Sequence, residues 1–302
     1  MVLKLALVAA LAAVTPALAQ TPAVKTPAAE TPAAKAVRAA TTPAAAASAT
    51  TDWRAVDPEN TLVIDSTKGR IIVELTPEAA PEHVARLKLL TRDKFYDGLV
   101  FHRVIDHFMA QTGDPLGTGE GQSAHPDLKG EFTFRRGADT PLTPIAAPSG
   151  AQLAFLRSLP VQTQPDALMM MTADQKVAAW GLYCPGVLGM ARGEDPDTAN
   201  SQFFLMRQPY PSLEKRYTAF GRVVSGLDVV RAIKTGEPVV DPDKMVRVRV
   251  LSDIPATERP VVRVLDTRGA RFQAMVEAAR RAKGADFSPC DLELPVQVTG
   301  GA

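Results

Sequence analysis

The sequence predicts a mainly β fold, an antiparallel barrel closed on itself or a sandwich. Short runs of β-branched and aromatic residues recur along the chain with turn residues between them. Within those runs apolar and polar residues alternate, which suits antiparallel pairing with one wet face. Helical patterns are few and short, so sheets must carry the architecture. A chain of 302 residues is long enough to bury a sizeable core. With a formal net charge of +1 and no dense Lys/Arg block among aromatics, nothing argues for nucleic acid as a partner.

Two segments precede the first strand. Residues 1–19 place Lys4 before a short apolar core and end in Ala17-Leu18-Ala19, the small-residue pattern of a cleaved secretory signal. The run is too short for an ordinary membrane anchor, and no other stretch is long and apolar enough to span a bilayer. Residues 20–51 are Ala, Pro and Thr with a few charges and no aromatic, and they read as a disordered spacer. The protein is therefore expected to be exported, to a periplasm or to the medium. In that oxidising setting Cys184 and Cys290 are a disulfide candidate, with the distance between them left open by the sequence.

Order begins near Trp53. Residues 61–67 and 70–75 are two strand-like runs around Lys68-Gly69, a hairpin signal. Pro81 and Glu82 suit the first turn of a helix, and Val84, Leu87 and Leu90 give it one apolar stripe. Next comes FYDGLVFHRVIDHFMAQTGDPLGTGEG (95–121), whose Leu99, Phe101 and Arg103 alternate behind an Asp97-Gly98 turn like a strand. Its end is a loop with glycines at 113, 117, 119 and 121. Phe132 and Phe134 mark another strand. Residues 141–183 differ in texture, with several prolines, an AQLAFLRSL run and Met169-Met170-Met171, and read as an insertion whose methionines pack adaptably. Strands follow at 186–191, 201–206, 218–224 and 246–251, with a short helix at 227–234. An amphipathic basic helix at 268–283 lies in the C-terminal extension, 255–302, its arginines forming a solvated face.

Taken singly these features carry little chemistry. A lone strand arginine is ordinarily a surface residue, and Phe108 with Met109 would ordinarily be core. The GDPLGTGEG loop has the look of a phosphate cradle but lacks the Lys-Ser/Thr and the helix that a nucleotide site needs. His83, His102, His107 and His125 show no metal-ligand spacing, so no metal is expected.

Together and in order, the hairpin, AAPEHV, residues 95–121, GVLGMAR, NSQFFL and YTAFGRVVSGLDVV resemble the cyclophilins, peptidyl-prolyl cis/trans isomerases, over about residues 62–251. The resemblance implies a closed eight-stranded antiparallel barrel capped by helices, spanning 52–254, with the 141–183 insertion. It implies that Arg103 is the catalytic arginine and Gln111 the active-site glutamine. Phe108, Met109, Phe204 and Leu213 then form the proline pocket, and Gly117, Thr118, Ala191, Arg192, Gln202 and Tyr217 line the peptide groove. Ser212 stands where drug-binding members carry a tryptophan, which implies weak cyclosporin binding. Tyr217 stands for a common histidine, and Arg192 for an asparagine whose main chain contacts substrate.

The implied reaction breaks no bond, so no cofactor is expected. The expected partners are proline-containing unfolded or partly folded polypeptides, and the expected state is a monomer. The other function class open to the sequence is a proline-peptide binding module or chaperone on the same scaffold.

Overall fold

The structure, a computed structural model, describes residues 52–301. The expected signal (1–19) and spacer (20–51) lie outside the described residues. The first strand is β1 (Trp53–Ala55), and β2 (Thr61–Ser66) and β3 (Gly69–Leu75) form the hairpin. Their register pairs Ser66 with Gly69, so the turn is Thr67-Lys68 and Gly69 closes it with φ +132°. Helix α1 (Pro81–Arg92) opens on a proline, and its N-cap residue Ala80 has no side-chain acceptor. Glu131 supplies one from across the chain, accepting from the N–H of Glu82 (3.3 Å) and His83 (3.1 Å). Val84, Leu87 and Leu90 are buried, as their spacing predicts.

Then follow β4 (Arg103–Val104), β5 (Met109–Thr112), β6 (Phe134–Arg136), β7 (Leu142–Ala146), β8 (Gln152–Leu156), β9 (Leu159–Thr163) and β10 (Val177–Gly181). After these come β11 (Val187–Met190), β12 (Phe203–Met206), β13 (Ala219–Ser225), α2 (Leu227–Ala232) and β14 (Met245–Val250). The chain ends with β15 (Val261–Leu265), α3 (Ala270–Lys283) and β16 (Val296–Thr299).

Eight strands form the main sheet in the order β14-β2-β3-β13-β11-β12-β5-β4, every neighbour antiparallel. The closed barrel expected from the sequence is corrected here: the sheet curls into an open half-barrel whose edges stay 13 Å apart. The segment before β4 does not extend that edge as a strand. Leu99 and Phe101 are outside any strand, and only Arg103 and Val104 pair in the sheet, so that edge has two residues with which to continue a ladder. The preceding segment meets residues 243–245 through separate hydrogen bonds instead, Gly98 N to Met245 O (2.7 Å) and Phe101 N to Asp243 O (2.8 Å).

Residues 134–181 build a second sheet, β6-β10-β9-β8-β7. Of the methionine run only Met169 is buried; Met170 and Met171 are 90% and 81% exposed, so the packing expected of all three holds for one. A third sheet, β1-β15-β16, joins both ends of the described chain, and α3 packs Phe272 edge-on against Phe155 of the second sheet. Cys184 and Cys290 are joined by a disulfide, which ties the segment before β11 to the tail. The apolar core follows this division. One cluster fills the curl of the main sheet, a second lies under the third sheet and α3, and a third, with Met109, Tyr183, Phe204 and Leu213, lies behind the groove described next.

Candidate active site

The edge of the main sheet sets the first half of the site. In the β4–β5 pair Arg103 lies directly opposite Gln111, and in the β5–β12 pair Gln111 lies opposite Phe204. Cross-strand partners stand about 4.5–5.5 Å apart at Cβ, so these side chains are neighbours by register alone. Met109 is buried, and Phe108 is half-buried in the turn before it, its ring 4.4 Å from that of Tyr210.

The second half comes from β11, β12 and the turns after them. Phe204 stacks on Tyr183 at 6.0 Å and meets Tyr217 edge-on at 6.1 Å. Room for its ring depends on Gly189, its partner on β11, because a Cβ there would stand 2.3 Å from the Phe204 ring. A single helical turn, Pro211–Leu213, turns Leu213 inward, where it is buried. The result is a pocket of about 230 Å³ lined by Arg103, Phe108, Met109, Gln111, Ala191, Arg192, Phe204, Leu213 and Tyr217. Its floor is apolar and its rim carries two guanidinium groups.

The polar groups form one ordered chain. Arg103 Nε donates to the Glu237 carboxylate, and Arg103 Nη1 donates to Gln111 Oε1 at 3.4 Å. Gln111 Nε2 donates to Gln202 Oε1 (2.9 Å), and Gln202 Nε2 donates to the carbonyls of Gly119 and Gly121 (2.8 Å each). Arg192 lies over the Tyr217 ring at 4.5 Å and donates to the carbonyls of Gly193, Glu194 and Arg216. Its side chain thus forms part of the wall at a position where the resemblance implies a main-chain contact.

The glycine loop is shaped by a carboxylate. Asp114 accepts from the N–H groups of Leu116 (2.7 Å) and Thr118 (2.8 Å) and from that of Gly119. Burial opposes its charge, yet the N–H groups of Leu116, Gly119, Gly121 and Thr118 hold its carboxyl below the usual carboxylate range. Behind the loop His102 is buried, and burial pushes its imidazole down despite the nearby Asp114. Glu214, next to Leu213, is pushed up to about 7 by burial, with Trp180 and Lys215 pulling it partly back.

Nine of the groove residues expected from the sequence therefore meet in one pocket. Gln202 lines the adjoining pocket of about 380 Å³ instead, with Gly119, Glu120, Gly121 and Gln122. Gly117 and Thr118 line neither pocket; they are held back by Asp114 at the base of the loop. Sequence reasoning missed Glu237, Asp114 and Tyr210. Glu237 had no signal in periodicity, whereas Asp114 stood in view at the head of a glycine loop, the usual place for a carboxylate that gathers backbone N–H groups. Among the described residues no group of three or more His, Cys, Asp or Glu is placed to hold a metal ion.

Residues 61–252 match the family described as cyclophilin type peptidyl-prolyl cis-trans isomerase/CLD. A probable peptidyl-prolyl cis-trans isomerase of Brucella suis is 34% identical over 215 residues, covering 66% of this chain and 86% of that protein. A peptidyl-prolyl cis-trans isomerase-like 1 protein of Gibberella zeae is 30% identical over 197 residues, 64% of this chain and 95% of its own. Among solved structures, the cyclophilin AquaCyp293 of Hirschia baltica superposes with a TM-score of 0.76 at 36% identity, covering 83% of this chain and 94% of that one. That coverage is about 251 of 302 residues, against 192 in the family match, so the likeness reaches elements outside residues 61–252.

Proposed function

The chain belongs to the cyclophilin-type peptidyl-prolyl cis-trans isomerase family, and from that premise we propose that Arg103 and the pocket beside it carry the reaction. The enzyme accelerates rotation about X-Pro bonds. The uncatalysed barrier is about 18–20 kcal/mol, because the nitrogen lone pair is shared with the carbonyl. At the twisted midpoint that lone pair is localised on the prolyl nitrogen and can accept a hydrogen bond. Arg103 has donors free for it: Nε is used by Glu237 and one Nη1 hydrogen by Gln111, and among the described residues no acceptor occupies Nη2. A bond made only in the twisted state lowers the barrier without holding the ground state more tightly. A permanently charged, rigid fork suits this better than an ammonium. Four powers of ten in rate need about 5.5 kcal/mol, within reach of a charge-assisted contact plus orientation in a partly dry pocket.

The observation that carries this reading is the pocket itself. It places an arginine fork over an apolar floor of Phe108, Met109, Phe204 and Leu213, a shape for one small ring with a polar edge. The floor holds the proline ring, and Gln111 faces the backbone of the neighbouring residue. Titrating the 15N-labelled protein with an Ala-Pro-containing peptide tests this. Backbone signals of residues 108–111 and 203–206 are expected to shift first, and shifts confined to the second sheet would contradict the assignment.

The clients in this reading are proline-containing polypeptides folding outside the cytoplasm. Residues 1–19 support export, and the disulfide suits an oxidising compartment. The second sheet is read as an addition to the family's main sheet. Fractionation of expressing cells, with N-terminal sequencing of the recovered protein, tests export: a start at Gln20 is expected, and a cytoplasmic protein beginning at Met1 would contradict it.

A further inference from the structure

We propose that Glu237 is a positioning residue for isomerisation: its carboxylate holds the Arg103 guanidinium so that Nη2 faces the proline pocket. The proposal rests on Arg103 being the catalytic group.

An ion pair at this exposure would ordinarily mean little. Arg103 and Glu237 are 36% and 56% exposed, and surface pairs of that kind contribute next to nothing when both side chains must be ordered. This pair differs because the backbone has already ordered it. Val104 and Gly236 exchange two hydrogen bonds of 2.8 Å, and Val239 N donates to His102 O at 3.1 Å. The residues on either side of Arg103 are thus bonded to the segment that carries Glu237, so the two side chains face each other across a fixed span.

What the contact fixes follows from the donor count. A guanidinium has five N–H groups in one plane. Glu237 takes Nε–H, and Gln111 takes one hydrogen of Nη1. Two anchors on different edges fix the plane and leave Nη2 as the edge free to donate. The Gln111 end is itself immobile, because its amide is locked by Gln202 and, through Gln202, by the Gly119 and Gly121 carbonyls. Glu237 is the second acceptor of Arg103, the donor from which this chain starts. Without it Arg103 keeps one anchor, through a 3.4 Å bond, on a side chain with several rotatable bonds. The fork then spends most of its time out of register with the prolyl nitrogen, and preorganisation at the reacting centre is what the rate depends on.

Glu237→Ala and Glu237→Gln, beside wild type and Arg103→Ala, give the test, with kcat, KM and thermal midpoint measured for each. Glu237→Ala is expected to lower kcat about 3–10-fold with KM within about twofold, since the proline floor is untouched. Glu237→Gln retains an oxygen that can accept from Nε–H and is expected to stay within about twofold of wild type. Both variants should melt with wild type. A Glu237→Ala rate equal to or above wild type would overturn the proposal, because the contact would then be idle or inhibitory. A kcat loss matched by a fall in thermal midpoint, and not rescued by glutamine, would overturn it too. If Arg103→Ala itself retains the full rate, the catalytic assignment fails along with it; if Arg103→Ala is inactive and Glu237→Ala is not, only the role of Glu237 fails.

Discussion

The proposed site rests on a few side chains whose neighbours decide what they can do. Phe204 depends on Gly189 for space and on Tyr183 and Tyr217 for support, so it is both floor and core. Phe204→Ala is expected to raise KM about tenfold or more in a steady-state assay and to lower stability by roughly 3–5 kcal/mol in denaturant unfolding. Gly189→Ala is expected to act on the same ring from behind: its methyl displaces Phe204 and raises KM in the same assay without altering the identity of any pocket residue. At this scale the sequence was highly legible. Arg103, Phe108, Met109 and Gln111 lie within nine residues, and Phe204 within a run of aromatics, so motif order located them. Glu237 was not legible, because its side chain meets Arg103 across 134 residues of sequence, a separation no local pattern encodes.

Elements explain why those residues meet. The β4–β5–β12 register places Arg103, Gln111 and Phe204 in one row, and the turn at 211–213 adds Leu213. Strand positions were legible from short β-prone runs at 61–75, 201–206 and 218–224 and from alternation at 246–251. The segment at 99–103 alternates equally well but forms a strand only at its end; before that it makes a single antiparallel bridge, Val100 with Lys244, flanked by Gly98 N to Met245 O and Phe101 N to Asp243 O. Periodicity cannot see that local override. The disulfide works at the same scale. It joins Cys184, next to the Tyr183 that stacks behind Phe204, to the tail 106 residues later. Cys184→Ser with Cys290→Ser is expected to lower stability by about 2–5 kcal/mol, read as a lower denaturant midpoint. An unchanged midpoint would mean the tail is held by packing alone.

Over the whole molecule, Glu214 and Glu59 contribute to the response to pH with opposite signs. Glu214 lies where the second sheet, through Trp180, meets the pocket wall, and burial raises its carboxyl from 4.5 to about 7. A raised carboxyl favours the folded state below 4.5 and loses that contribution as pH rises towards and through 7. The thermal midpoint is therefore expected to fall between pH 5 and 8 through this group, with Glu214→Gln flattening the slope. Glu59 has the opposite sign. Arg92 chiefly holds it at about 2, so its contribution is present above 4.5 and is lost as pH falls towards 2. The sequence foretold eight strands' worth of β structure and a textural break at 141–183. That break is a second sheet, which was hidden because its prolines and short strands read as irregular chain. The central claim is that Arg103 acts on the twisted state, and exchange NMR of an Xaa-Pro peptide at equilibrium, with peptide affinity measured alongside, tests it most directly. Arg103→Ala is predicted to slow cis–trans exchange about 100-fold while changing affinity less than about threefold. Exchange that persists, or that falls only in proportion to lost binding, would contradict it.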